Sequence, residues 1–232
     1  MVMKRHSHFN KILGTQEADF LQGTDQRDLI LGLKGRDDIR GGDGDDIILA
    51  GPGDDGFVAG GPGDDFVSGG SGNDYIFGSD GNDVMMGGQG NDTVGGDAGD
   101  DTVSGGSGDD IIDGGFGNDL LRGGAGQDQF VFAIDADQGI DTIRDFKSSS
   151  DILNFTINFT DIVDTGAPGY ADDIDAISTI TDNGRGSDVI LTLDSGTTII
   201  FSKAGTGEIA SVADLVDDPL TQIISDFDVF LI

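Results

Sequence analysis

The sequence predicts an all-β fold. It is a parallel β-roll, a two-sheet solenoid with 18 residues per coil, capped by a C-terminal β-rich subdomain with one short helix. Three observations predict it. A unit of nine residues recurs from Gly14 to about residue 131, starting at Gly14, Gly23, Gly32, Gly41, Ala50, Gly60, Gly69, Gly78, Gly87, Gly96, Gly105, Gly114 and Gly123. The sixth place of every unit is Asp, from Asp19 and Asp28 to Asp119 and Asp128. The eighth place is always apolar: Leu21, Ile30, Ile39, Ile48, Val58, Val67, Ile76, Met85, Val94, Val103, Ile112, Leu121 and Phe130.

The unit divides into a turn and a strand. Its last three places make a short strand whose central side chain points to one face and whose neighbours point to the other. Its first six places are a turn, with Gly at the second and fourth places of most units and Asn, Asp or Gln common at the fifth. Those residue types tolerate left-handed backbone. Two units make one coil, and the large apolar side chains point between the two sheets. The unit from Ala50 has ten residues, and taking Gly56 as the extra one keeps Val58 in phase.

Such a coil has a thin core, with one large aliphatic side chain for every nine residues ordered. Stacking also brings each Asp to about 5 Å from the Asp one coil away, where like charges repel. A hard divalent cation between stacked turns answers both problems. Oxygen ligands on flexible turns favour Ca2+ over Mg2+.

Composition narrows the function classes. The chain of 232 residues has a formal net charge of −32, which repels nucleic acid and favours cationic partners. Cysteine is absent, so there is no disulfide framework and no thiol site. No stretch is long and apolar enough to be a transmembrane segment. The N-terminus "MVMKRHSHFNKILG" lacks the apolar run of a signal peptide, and residues 1–13 read as a disordered tail, with His6 and His8 solvated in it. There is no HExxH and no GxSxG, and "GPGDDG" at 51–56 is not followed by a helix. Nothing marks an active site, so the expectation is a protein that is not an enzyme.

The units "GGSGNDYIF", "GGSGDDIID" and "GGFGNDLLR" closely resemble the RTX, or haemolysin-type calcium-binding, nonapeptide. The resemblance covers residues 14–131. It implies that each ion lies between a turn and the turn two units later. One turn gives the carbonyls of places two and four and the sixth-place Asp, and the other gives the carbonyls of places one, three and five. Asp74, Gly70 and Gly72 would then share an ion with the backbone of Gly87, Gln89 and Asn91. The ligands this pattern implies, by backbone carbonyl or carboxylate, are Asp37, Gly42, Gly44, Asp46, Gly51, Gly53, Asp55, Gly61, Gly63, Asp65, Gly70, Gly72, Asp74, Gly81, Asp83, Gly88, Gly90, Asp92, Gly99, Asp101, Gly106, Gly108, Asp110, Gly115, Gly117, Asp119, Gly124, Gly126 and Asp128. Units from Gly41 onward fit this pattern and allow roughly eight ions. "GTQEAD" and "GTDQRD" lack the inner glycines and "GLKGRD" has only one, so the first coils are expected to be metal-poor, with Asp19 and Asp28 doubtful ligands.

Outward-pointing seventh places read Leu29, Ile47, Phe66, Val84, Thr102 and Leu120 along one sheet. Along the other they read Phe20, Asp38, Phe57, Tyr75, Thr93, Ile111 and Gln129. The first set, with Leu31, Leu49 and Met86 from the ninth place, predicts an apolar stripe that is covered by the C-terminal half of the chain, by a partner or second copy, or left exposed. Residues 132–232 read as that capping subdomain, with strands in "DQFVFAI", "DTIRDF", "DILNF", "SDVILTL" and "TTIIFS". "DSG" at 194–196 reads as a hairpin turn, 208–216 as a helix and 164–173 as a loop. This section resembles the closing segment of serralysin-type and other RTX proteins. The final "DVFLI" resembles the uncleaved signal of type I secretion machinery. Together these imply a secreted, extracellular protein of a Gram-negative bacterium, folded by external calcium and acting as a binding module on a host or polysaccharide target. Its layout resembles the small secreted RTX proteins of root-nodule bacteria. The alternatives are the C-terminal part of a larger RTX enzyme (protease, lipase or epimerase) and a polysaccharide- or membrane-binding adhesin module.

Overall fold

The structure, a computed structural model, describes residues 9–133, 136, 138–146, 150–156, 177–182, 189–193 and 196–201. The expected helix at 208–216, the loop at 164–173 and the terminal "DVFLI" lie outside the described residues. Those residues form nineteen strands in two sheets and no helix. In the first sheet the roll runs β1 (Asn10–Leu13), β3 (Asp28–Leu31), β5 (Ile47–Pro52), β7 (Phe66–Ser71), β9 (Val84–Gln89), β11 (Thr102–Ser107), β13 (Leu120–Ala125) and β15 (Ile140–Ile143). The second sheet holds β2 (Phe20–Gln22), β4 (Asp38–Arg40), β6 (Phe57–Ala59), β8 (Tyr75–Asp80), β10 (Thr93–Ala98), β12 (Ile111–Asp113), β14 (Gln129–Ala133) and β16 (Ile152–Thr156).

All pairings within the roll are parallel and in register one coil apart, as in Val67↔Met85 and Val94↔Ile112. The eighth-place side chains make a single buried column between the sheets. Ile76, Met85 and Leu121 are among the side chains with no exposure. Gly56 is the inserted residue. Its amide donates to the Asp37 carbonyl, so Phe57 pairs with Asp38 and Val58 stays inside. Many strands are longer than three residues. In β7, β9 and β11 the ladder runs on through the start of the next turn, pairing Gly70 with Gly88 and Gly88 with Gly106.

The roll is longer than its nonapeptides at both ends. Asn10–Leu13, expected within the disordered tail, form β1. Ile12 pairs with Ile30 and packs on the core column, so the apolar phase starts one unit before the Asp phase. At the other end, β15 and β16 add two steps past residue 131. Ile143 stacks on Leu121 and Leu153 on Phe130. Their connecting turns are longer than six residues, which hides them from a nine-residue count.

Beyond β15 the first sheet continues as β19 (Thr198–Phe201), β18 (Val189–Leu193) and β17 (Ile177–Asp182). β19 pairs parallel to β15, and β18 and β17 follow antiparallel. Residues 194 and 195 of the expected hairpin turn lie outside the described residues. Buried Phe130, Phe132 and Phe201 close the core column, and Phe146 packs its ring 5.2 Å from Phe201 and 6.0 Å from Phe130. Asp145 finishes the edge. Inside the roll the amides of places one and two donate to the next coil, as Gly41 does to Ala59 and Gly42 to Gly60. At the last turn, Gly123 and Gly124 donate to Asp145 Oδ1 and Oδ2 at 3.0 and 3.1 Å.

At the seventh places of the first sheet, Leu29, Ile47, Phe66 and Leu120 are half-buried and Val84 is exposed, whereas Phe20, Phe57, Tyr75 and Ile111 of the second sheet are exposed. The first sheet also exposes Leu13, Leu49, Met86 and Ile140. Phe57 stacks on Phe77 at 5.5 Å, and the Arg40 guanidinium lies over both Phe20 and Phe57. Aromatic side chains thus concentrate on the sheet whose seventh places looked less apolar.

Ile76→Ala removes one member of a column without spare contacts. Urea unfolding at saturating calcium should show a loss of about 3 kcal/mol. Asp145→Ala leaves two backbone donors without their carboxylate and should cost about 2 kcal/mol in the same measurement.

Candidate metal centre

Each turn is positioned by the strand on either side, and stacking sets the turns in two columns. Asp37, Asp55, Asp74, Asp92, Asp110 and Asp128 form one, and Asp28, Asp46, Asp65, Asp83, Asp101 and Asp119 the other. All twelve side chains are buried. Within a column each carboxylate except that of Asp28 accepts, through Oδ1, the amide of the Asp one coil earlier. Asp55 donates to Asp74 at 2.8 Å and Asp83 to Asp101 at 2.7 Å. The columns continue past the nonapeptides, with Asp119 donating to Asp141 and Asp128 to Asp151. This amide ladder was not evident from the repeat, which shows an Asp at each step but not which atom it meets.

The second carboxylate oxygen sets the chemistry. In Asp37, Asp46, Asp55, Asp65, Asp74, Asp83, Asp92, Asp101 and Asp110, Oδ2 is buried and has no hydrogen-bond partner. A buried anionic oxygen without a partner is costly, and a chain repeating it nine times needs a compensating charge. The neighbouring backbone packs closely against that oxygen. At Gly69, a Cβ would come within 3.0 Å of both Asp74 Oδ2 and the Gly87 carbonyl oxygen. Gly78 stands in the same relation to Asp83 and Gly96, and Gly87 to Asp92 and Gly105. The lack of a Cβ at the first place therefore lets its own unit's carboxylate oxygen and the carbonyl oxygen one coil on lie on the same side of the turn.

Backbone conformation at the second and fourth places serves the same turn. Gly70 and Gly72 have φ of 116° and 124°, where a side chain is strained. Three non-glycine residues hold positive φ at the second place: Leu33, Ser79 and Asp97. Such conformations persist where the surroundings impose them, which shows that the turn geometry overrides the residue. The glycines proposed from the sequence at places two and four, from Gly42 to Gly126, all have positive φ.

Among the described residues, no three His, Cys, Asp or Glu side chains converge as a metal cluster. A cation here would take the carboxylate as its charged ligand and backbone carbonyls for the rest. That donor set is hard and all-oxygen, and it suits Ca2+.

Electrostatics agree. Burial pushes the carboxyls of Asp55, Asp65, Asp92 and Asp101 up to about 7, against the lowering effect of the amide each accepts. It pushes Asp46, Asp74, Asp83 and Asp110 up to about 6. Neighbouring aspartates raise them further. At the C-terminal end burial raises both Asp119 and Asp141, the latter to about 8.

A carboxyl whose pKa is higher folded than unfolded favours the fold while protonated, and that contribution is lost as pH rises through the folded value. The metal-free roll should therefore lose stability from about pH 4 to about pH 7. Circular dichroism of metal-free protein should show more β structure at pH 5 than at pH 8, and calcium at pH 8 should abolish the difference.

A family model for the RTX calcium-binding nonapeptide repeat matches the chain in four copies, at residues 13–48, 22–57, 59–94 and 95–130. These cover just over half of the 232 residues. No curated protein matches the chain. Among solved structures it is similar to the crystal structure of extracellular lipase LipA from Serratia marcescens, with 21% identity and a TM-score of 0.36. That match covers 83% of this chain and 39% of the lipase chain. With thirteen aspartate-bearing turns, nine partnerless buried oxygens and four matched copies of the repeat, the chain belongs to the RTX calcium-binding nonapeptide family.

Proposed function

We propose that this chain is a secreted calcium-binding module, folded by the calcium it meets outside the cell and exported through its C-terminal segment. The observation that carries the reading is the buried Oδ2 left without a partner in nine successive turns. Calcium placed between these turns would be held by the proposed Asp and Gly set, from Asp37 to Asp128, and would supply the positive charge that the columns lack. Binding energy then becomes folding energy. At low cytosolic calcium the acidic columns favour an open chain, which suits passage through a type I secretion channel. Outside, the same columns become ligands.

The role after folding is binding rather than catalysis. The repeat region is a stack of turns whose carboxylates are committed to the amide ladder and the metal cradle. Among the described residues no helix is long and apolar enough to cross a membrane. The exposed aromatic face of the second sheet, with Phe20, Phe57 and Tyr75, is the surface best suited to a polysaccharide or host target.

A calcium titration followed by circular dichroism should give a cooperative gain of β structure at about 0.1–1 mM, the range of extracellular modules. Full β structure at neutral pH in excess chelator would refute the reading. Asp74→Asn should move the midpoint to several-fold higher calcium. Deletion of residues 228–232 should retain the protein inside cells carrying the secretion machinery, and undiminished export would refute the export step.

A further inference from the structure

The first two turns differ from the others in the atom that matters. In Thr15–Asp19, the Thr15 amide and hydroxyl both donate to Asp19 Oδ2, at 2.6 and 3.0 Å. In Thr24–Asp28, the Thr24 amide and hydroxyl donate to Asp28 Oδ2 at the same distances. Each threonine oxygen also accepts an amide two residues on, from Glu17 and Gln26 at 3.2 Å. These are closed hydrogen-bonded turns. The oxygen that lies bare in Asp37 to Asp110 is here already doubly satisfied. The oxygen Asp28 leaves without a partner is Oδ1, the atom that in later turns takes the preceding coil's amide.

Two further features separate these turns. Thr15 and Thr24 keep negative φ, whereas the second place has positive φ in every later unit, even where it is Leu33, Ser79 or Asp97. The slot above Thr24–Asp28 also has its own cation. Arg27 Nε donates to the Asp45 carbonyl at 3.1 Å and lies 3.7 Å from Asp45 Oδ2, bridging to the turn one coil on. Its guanidinium is braced from the other side by the Phe9 ring, 4.6 Å away.

We infer that the turns Thr15–Asp19 and Thr24–Asp28 hold no calcium, because threonine donors occupy Asp Oδ2 and Arg27 supplies the cation between the second turn and the next coil. The inference rests on the calcium reading of the later turns and sets where in the chain metal binding begins. The family model matches residues 13–48 as repeat, so the repeat pattern and the metal-binding pattern part company at this end. A hydroxyl and an amide neutralise less charge than an ion, but they need no ligand from solvent. The first coil is therefore closed by the chain's own groups.

Bound calcium is counted by equilibrium dialysis at about 5 mM calcium, well above the midpoint expected for an extracellular module. Asp28→Asn should leave the count unchanged, whereas Asp74→Asn should lower it. The triple change T24G/Q26G/R27N, which writes the later-turn pattern into the second unit, should raise it by about one ion per chain. Thr24→Val should weaken folding by roughly five- to tenfold, by the same factor at moderate and at high calcium. Loss of an ion in Asp28→Asn, or a Thr24→Val defect that high calcium repairs, overturns the inference while the calcium reading stands. Absence of bound calcium in the unaltered protein overturns both. If the triple variant does not fold, the Asp28→Asn count and the Thr24→Val comparison decide.

Discussion

The buried carboxylate at the sixth place is the constraint on which the roll depends. One oxygen is committed to the amide one coil earlier, and that bond holds the coils in register. The other oxygen, from Asp37 to Asp110, has no protein partner. A group that the fold requires is thus a group that the fold cannot neutralise by itself. Replacing it with an apolar residue would remove the charge and also cut the ladder. The thin core between the sheets cannot offset so many buried anions, because each unit gives it only one large side chain. The calcium dependence we propose follows from the same atom that organises the stack.

The two ends meet this constraint differently. At the C-terminal end the ladder is extended by Asp141 and Asp151, and the last turn's amides are taken by Asp145. Aromatic side chains then seal the column. At the N-terminal end, Thr15 and Thr24 satisfy the carboxylates directly. The turns we propose for calcium are therefore interior ones, bounded on both sides by turns that protein groups complete.

Much of this was legible in the sequence, because two places of the unit are invariant and their spacing fixes the side each residue faces. The phase of Asp46 or Ile76 leaves no freedom, and even Gly56 could be identified as the extra residue. Other features were hidden for identifiable reasons. β1 carries Asn10 where later units have Asp, so a count of aspartates misses it although Ile12 keeps the apolar phase. Asp141 and Asp151 take their places after turns longer than six residues, so the nine-residue period does not reach them. β17 has neither period. The threonine closures follow from rotamers and backbone φ, which a motif does not specify. The stacking of Phe57 on Phe77 across strands is likewise not specified by the phase of the unit.

The register of one coil per 18 residues also sets a rule for changes in length. A single added residue can be absorbed as a bulge, as Gly56 is. A single added nonapeptide cannot be absorbed in that way, because every later strand would move to the opposite sheet. Asp columns would exchange, and the strands from β15 to β19 would have to be built on the other face. Growth or shrinkage of such an array is therefore quantised in pairs of units, so copy number in the interior can drift only by whole coils while both ends stay as they are.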